Sequence, residues 1–369
     1  MAATKKGTAP VTSVGADGEQ SLDKNSLNII AESPPEGNLQ ATNNKCLEAI
    51  SMNEIYDTAY PPKVPIIDDF LYAGTYLFVG APKLGKSFFM AQIGYHICMG
   101  IPLWNYEVRQ GSVLYLALED DYSRIQSRLN RMFGFESADN FFFATRADSL
   151  NNGLEQELHN FIKEHPDLRL VIIDTLQKVR EVGNDKCSYA NDYEIVTKLK
   201  ELSDKYGICL LVVHHTRKME SSDSFDMISG TNGLLGAADG AFVMTKEKRT
   251  ENKAFLEIAG RDQQDQRLEL EFQRDTCKWK LIKAETELWK TPPDPILELV
   301  AGVVSDEQPC WEGTASELLQ LIPEIDMKPN VFTRKLNGGT SKLYCDYNVS
   351  YTNDHKHEGR KIYLKKVIS

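Results

Sequence analysis

The chain has 369 residues, more than one ordinary core holds, with 42 lysines and arginines against 53 aspartates and glutamates and a formal net charge of −11. That balance excludes a protein that coats nucleic acid with its whole surface and leaves room only for a local basic face. No apolar run approaches the roughly 20 residues that a bilayer-spanning helix needs, and the start lacks the apolar stretch of a secretory signal, so a cytoplasmic protein with no membrane partner is expected.

Residues 1–60 are rich in Ser, Asn, Gly, Ala and Glu and show no sustained apolar period, so a disordered tail is expected, with a short helix over Lys45–Ile55 as its one ordered piece. From residue 61 the character changes. Tyr76–Val79 reads as a buried strand and Phe88–Met99 as a helix. Between them lies Gly80-Ala81-Pro82-Lys83-Leu84-Gly85-Lys86-Ser87, which fits G-x-x-x-x-G-K-[ST] at every fixed position. The pattern suits phosphate. Two glycines let backbone N–H groups turn inward, and the positive end of the helix that begins near Phe88 adds to their field. Lys86 is expected to reach the β and γ phosphates of ATP, and the Ser87 hydroxyl to ligate Mg²⁺.

Ser112–Leu118 reads as a second buried strand ending at Glu119-Asp120-Asp121, followed by a helix over Tyr122–Phe133. Phe141–Ala144 is a third strand, Leu154–Glu164 an amphipathic helix, and Leu170–Ile173 a fourth strand ending at Asp174. A polar loop to about Ala190, a helix over Tyr193–Tyr206 and a strand over Ile208–Val213, ending at His214-His215, complete an alternation that indicates a mostly parallel sheet covered on both faces. Ala241–Met244, Ala254–Ile258, Leu268–Phe272 and Trp279–Ile282 are short, closely spaced strands, expected to extend that sheet as an antiparallel meander. The seven cysteines are odd in number and form no C-x-x-C pair, which argues against a disulfide framework or a zinc knuckle.

Thr291–Pro295 holds three prolines and reads as a rigid linker, dividing an ATPase domain over 61–290 from a second domain over 296–369. In the latter, helices over Ile296–Val304, Thr314–Leu321 and Asn330–Asn337 precede strands over Tyr347–Tyr351 and Lys361–Lys366, the order of a winged helix. Between Lys328 and Lys366 nine lysines and arginines stand against Asp346, Asp354 and Glu358. Duplex DNA is the expected partner of this segment, with Arg334 and Lys335 on the groove helix; a solvated face of an oligomerisation domain is the alternative.

In a parallel sheet the ligand lies outside the carboxyl ends of the strands. Asp174 there is placed to hold the magnesium shell, and Glu119 to polarise the attacking water or merely to open the next helix. His215 suits a donor that senses the γ phosphate better than a metal pair with His214, since no third ligand is apparent. Arg261, just after a strand, is a candidate for a charge inserted into a neighbouring subunit's site, or else a solvated turn residue.

Gly80–Ser87, Leu114-Tyr115-Leu116-Ala117-Leu118-Glu119-Asp120, Leu170-Val171-Ile172-Ile173-Asp174-Thr175, Val212-Val213-His214-His215-Thr216-Arg217-Lys218 and Ser229–Asp239 together resemble the RecA-type ATPases of the RepA and DnaB hexameric-helicase group. The RepA-like branch of plasmids, phages and other mobile elements is the nearest, over roughly Pro61–Ile282. The resemblance implies a RecA-like α/β core and a homo-oligomer, a hexamer, that takes single-stranded DNA through a central channel and works with replication proteins. It also implies Lys86 and Ser87 on phosphate and magnesium, Glu119 as base, Asp174 as second acidic group, His215 as sensor and Arg261 as arginine finger. The loops after Asp174 and over Arg217–Ser229 would face the channel, although Glu181, Asp185, Glu220, Asp223 and Asp226 make them less basic than a DNA-gripping loop. A DNA-bound ATP switch that loads or regulates a helicase is the second reading. A small-molecule kinase, with Arg124, Arg128 and Arg131 on its substrate, is the third.

Overall fold

The computed structural model describes residues 49–180, 189–215, 232–248, 250–288, 292–356 and 359–367, together with Leu47 and Phe225. Ile50–Ser369 form one compact unit. Its first element among the described residues is the helix α1 (Met52–Asp57); of the expected helix over Lys45–Ile55, residues 49–51 are not helical, and residues 45, 46 and 48 lie outside the described ones. Ser51 decides this start: its hydroxyl accepts from the Glu54 N–H while Glu54 accepts from the Ser51 N–H, a reciprocal cap that fixes the first turn. The small antiparallel pair β1 (Pro65–Ile67) and β2 (Leu71–Tyr72) then leads into β3 (Gly74–Gly80), buried throughout.

The phosphate loop follows β3 and ends in α2 (Lys86–Met99). β4 (Ser112–Ala117), α3 (Tyr122–Phe133), β5 (Phe141–Ala144), α4 (Leu154–Glu164), β6 (Leu168–Asp174), the short α5 (Leu176–Val179), α6 (Tyr189–Tyr206) and β7 (Cys209–His215) continue the alternation. After α7 (Asn232–Ala237) come β8 (Gly240–Thr245), β9 (Lys253–Gly260), β10 (Gln263–Gln273) and β11 (Lys278–Ala284). The nine strands β3 to β11 form one sheet, in the order β11-β10-β9-β8-β3-β7-β6-β4-β5.

Across the sheet from β5 through β4, β6, β7 and β3 to β8 the strands are parallel, and β9 to β11 continue it antiparallel, so the expected mostly parallel sheet with an antiparallel extension is present. The four expected strands form the meander, β8 to β11 each antiparallel to the next, and it joins the rest of the sheet through β8, which pairs with β3 in parallel. The cause lies in its neighbours: β8 is reached from α7, a crossover that returns the chain in the direction of β3, whereas short hairpins reverse it afterwards. Alternation along β3 sends Tyr76 and Phe78 to one core, with α2 and α3, and Leu77 and Val79 to the other, with α4 and α6. Each such fully buried side chain contributes about 1.5–3 kcal/mol, and together they fix the register that places the strand ends.

The C-terminal part has its own core. α8 (Pro295–Ala301), capped by Asp294, leads to β12 (Cys310–Gly313), α9 (Ala315–Leu321), α10 (Pro329–Gly338), α11 (Thr340–Tyr347), β13 (Val349–Lys356) and β14 (Gly359–Lys366). The three strands form a sheet in the order β12-β14-β13. Two elements were not expected, β12 and α11; residue 347 ends a helix rather than opening a strand, and the turn to β13 is made by Asn348 with φ 55°. Among the described residues no helix is long and apolar enough to cross a membrane.

Candidate active site

The strand ends bring five of the expected residues to one place. Gly80 closes β3, and His215, its register partner, closes β7. Asp174 closes β6 opposite Ala117 of β4, two residues before Glu119. The loop closes with Gly85 in the left-handed region at φ 95°, where the Trp279 ring stands 3.2 Å from the position a Cβ would take. A Cβ on Gly80 would meet the Met244 carbonyl at 2.8 Å. Both positions require glycine. Ala81, Pro82 and Lys83 are exposed, whereas Leu84 and Phe88 are half-buried against the core of β11 and α2.

The Lys86 ammonium is buried and donates to the carbonyls of Gly80 at 2.7 Å and Ala81 at 2.9 Å, with the Nδ1 of His215 at 3.1 Å. Loss of solvation lowers its pKa to about 8, against the opposing pull of Asp174 and Glu119. His215 is lowered too, by burial first and by the Lys86 charge second, so a neutral imidazole that accepts at Nδ1 is the form that fits. The Ser87 hydroxyl donates to Oδ2 of Asp174 at 2.7 Å. Burial raises the Asp174 pKa, and hydrogen bonds from Ser87 and from the Tyr115 hydroxyl, at 2.8 Å on the same oxygen, work against that rise. Glu119 is exposed, and its Oε1 accepts from the Thr175 hydroxyl at 3.0 Å.

The donor set fits a magnesium–nucleotide pair. Ser87 and Asp174 offer two adjacent hard oxygens of the kind Mg²⁺ takes, and the first-turn N–H groups of α2 have no partner within the helix. Tyr115 and Thr175 escaped the sequence reading. Tyr115 was legible only as one apolar residue of a buried strand, and its hydroxyl meets Asp174 because β4 and β6 are neighbours.

Arg261 is not part of this cluster. Gly260 pairs with Gly240 and Gly80 with Met244, so Arg261 lies at the end of the sheet opposite the phosphate loop, where it is exposed and donates to the Gly236 carbonyl at 2.9 Å. Arg124 and Arg128 both pair with Asp120, at 3.1 and 2.6 Å, and Arg131 donates to the Arg274 carbonyl. These three arginines are thus engaged within the chain. Glu181, Asp185, Glu220, Asp223 and Asp226, in the two expected channel loops, lie outside the described residues.

The expected groove pair is engaged within the chain. Arg334 donates from Nε to Asp57 at 2.7 Å and Lys335 donates to Asp294 at 2.5 Å, so both charges of α10 are met within the chain.

Residues 42–221 match the family model described as the AAA domain. No curated protein matches the chain. Among solved structures, the ATPase domain of another protein is similar at 15% identity over 57% of this chain and 85% of that one, with a TM-score of 0.48. A DnaB-like replicative helicase, solved to show its interactions with primase, is similar at 14% identity over 56% of this chain and 57% of that one, with a TM-score of 0.47. The matched residues hold the phosphate loop between β3 and α2 and the acidic residue at the end of β6, so the family match and the geometry agree on a P-loop ATPase site.

Proposed function

We propose that the protein is an ATP-hydrolysing DNA replication motor, a ring-forming helicase of the RepA and DnaB kind, acting in a phage or other mobile element. The observation that carries this is the separation of Arg261 from the cluster of Lys86, Ser87, Glu119, Asp174 and His215. If Arg261 serves hydrolysis it does so only at a neighbour's site, so this reading takes an oligomer, and a hexameric ring is the form proposed.

In this reading Lys86 moves from the Gly80 and Ala81 carbonyls onto the β and γ phosphates of ATP, which replace those two hydrogen bonds with stronger charge-assisted ones. Ser87 and Asp174 hold Mg²⁺, which supplies charge stabilisation to the phosphates when bound. Glu119, oriented by Thr175, accepts a proton from the attacking water. His215 reports the state of the Lys86 ammonium to the loop after β7, because its Nδ1 loses that donor when Lys86 turns to phosphate. The C-terminal part, with helices before a hairpin and nine lysines and arginines between Lys328 and Lys366, is proposed as a winged-helix-like unit on duplex DNA, while single-stranded DNA passes the ATPase ring. A soluble protein of the cytoplasm is the matching location.

A helicase loader or replication regulator shares the same site, and the intramolecular pairing of Arg334 and Lys335 favours it by holding DNA-facing charge in reserve. Unwinding of a forked duplex decides between the two. ATP-dependent strand separation by the pure protein supports the motor. DNA-stimulated ATP turnover without separation selects the loader, and turnover indifferent to DNA overturns both.

A further inference from the structure

Asp57 of α1 sits between two arginines of the C-terminal part that come from different elements. Its Oδ1 accepts from Nε of Arg334 on α10 at 2.7 Å and lies 3.7 Å from an amino nitrogen of Arg360 on β14. Four further contacts hold the same stretch of chain. Asn53 accepts from Arg334 at 3.3 Å, and the Tyr56 ring lies 6.0 Å from the Arg334 guanidinium. The buried Asn337 amide donates to the Tyr56 carbonyl at 2.8 Å, and Ala59 packs on the C-terminal core. A few residues later Lys63 donates its N–H to the Ser341 hydroxyl at 3.0 Å. Residues 51–63 thus form a strap over α10 and α11. The strap itself is poorly buried: no residue of α1 is buried, and Met52, Ile55 and Tyr56 are exposed.

Two guanidiniums converging on one carboxylate oxygen make an anion site, and the fork of an arginine accepts a phosphate in the same geometry as a carboxylate. We propose that Arg334 and Arg360 form a binding site for the phosphate backbone of nucleic acid, and that Asp57 occupies it as a built-in substitute, so that α1 must leave before the C-terminal part engages DNA in full. The inference rests on the DNA-binding reading given above, and it adds the residues that bind and the segment that blocks them. The chemistry favours exchange. Asp57 and both arginines are partly exposed, so their pairing is worth little in water, whereas duplex DNA repeats its phosphates and releases counterions on binding.

The test uses the full-length chain and a labelled duplex of about 20 base pairs titrated at several salt concentrations, with ATP turnover as a control for folding, since none of the three residues touches the nucleotide site. Asp57→Ala should bind the duplex about three- to tenfold more tightly than the unchanged protein. Arg334→Ala with Arg360→Ala should weaken binding and flatten the dependence of log affinity on log salt by about 0.9 for each lost phosphate contact, roughly 1.8 in all. In that double background Asp57→Ala should have no further effect. Unchanged affinity of Asp57→Ala, in a protein that does bind the duplex, overturns the strap. So does an equal gain in both backgrounds, which would mark Asp57 as a distant repulsive charge. If neither the unchanged protein nor Asp57→Ala binds the duplex even at low salt, the DNA-binding reading itself fails.

Discussion

The Tyr115 hydroxyl and the Ser87 hydroxyl donate to the same oxygen of Asp174, at 2.8 and 2.7 Å. Tyr115 is fully buried on β4, so its hydroxyl holds the carboxylate from within the sheet while Ser87 meets it from the phosphate loop. Tyr115→Phe keeps the ring packing and leaves that oxygen one donor short, a loss worth about 1–3 kcal/mol. ATP turnover should fall about tenfold, and the Mg²⁺ concentration for half-maximal turnover should rise. A magnesium titration of steady-state hydrolysis checks both.

Glu119→Gln should retain ATP and lose hydrolysis by about 10²–10⁴-fold, because the amide keeps the shape and cannot accept the proton of the attacking water. Thr175→Val should give a smaller loss of the same kind, since it frees the carboxylate from its 3.0 Å donor without removing it. Nucleotide binding measured beside turnover separates the two effects. Wild-type turnover in Glu119→Gln would reduce Glu119 to a residue that only precedes a helix.

Lys86→Ala removes the ammonium that lies between the Gly80 carbonyl and His215, and should abolish turnover. Arg261→Ala should also be inactive, but for a different reason, as its guanidinium acts at a subunit boundary. Mixed oligomers of the two variants should regain part of the activity, because some boundaries then carry both residues. Mixed assemblies that stay inactive would count against action in trans.

The Gln92 side chain spans α2 and β11, accepting from the Trp279 N–H at 2.8 Å and donating to the Trp279 carbonyl at 3.0 Å. It thereby serves as the next strand for an edge of the sheet and holds the Trp279 ring beneath Gly85. Gln92→Leu leaves the Trp279 N–H without its partner and its carbonyl with the Trp104 indole N–H alone, at 2.8 Å, and should destabilise the protein by about 1–3 kcal/mol, read from the urea midpoint.

The hydrogen bond from Arg334 holds the Asp57 carboxyl below its ordinary value. A depressed folded-state pKa adds stability above the unfolded value of about 3.9 and loses it as pH falls through the folded value. Hydrogen exchange of the α1 amides should therefore stay slow until the pH drops below about 3.9. Loss of protection already at about pH 5–6, well above that value, would assign the hold on α1 to another group.

Most of the ATPase part was legible because its signals are local. The run over Phe141–Ala144 and the helices over Tyr122–Phe133 and Leu154–Glu164 fall where apolar period and flanking polar residues put them. Errors came where a partner distant in sequence decides. β12 is a strand because Cys310–Gly313 find the free edge of β14, and α1 starts at Met52 because the Ser51 cap outweighs a weak apolar period before it.

Short stretches of the chain suffice to show that a phosphate loop lies between a strand and a helix, and that Glu119, Asp174 and His215 stand at the ends of strands in a parallel sheet, since period and fixed glycines are local properties. Which of these residues share a site is settled by packing. Strand order puts Tyr115 against Asp174, sends Arg261 to the opposite end, and lays Asp57 between Arg334 and Arg360, which are 277 residues or more away along the chain. Side-chain contacts of that kind depend on which strands pair and which faces pack, and both are set by burial summed over the whole core rather than by any neighbouring residue.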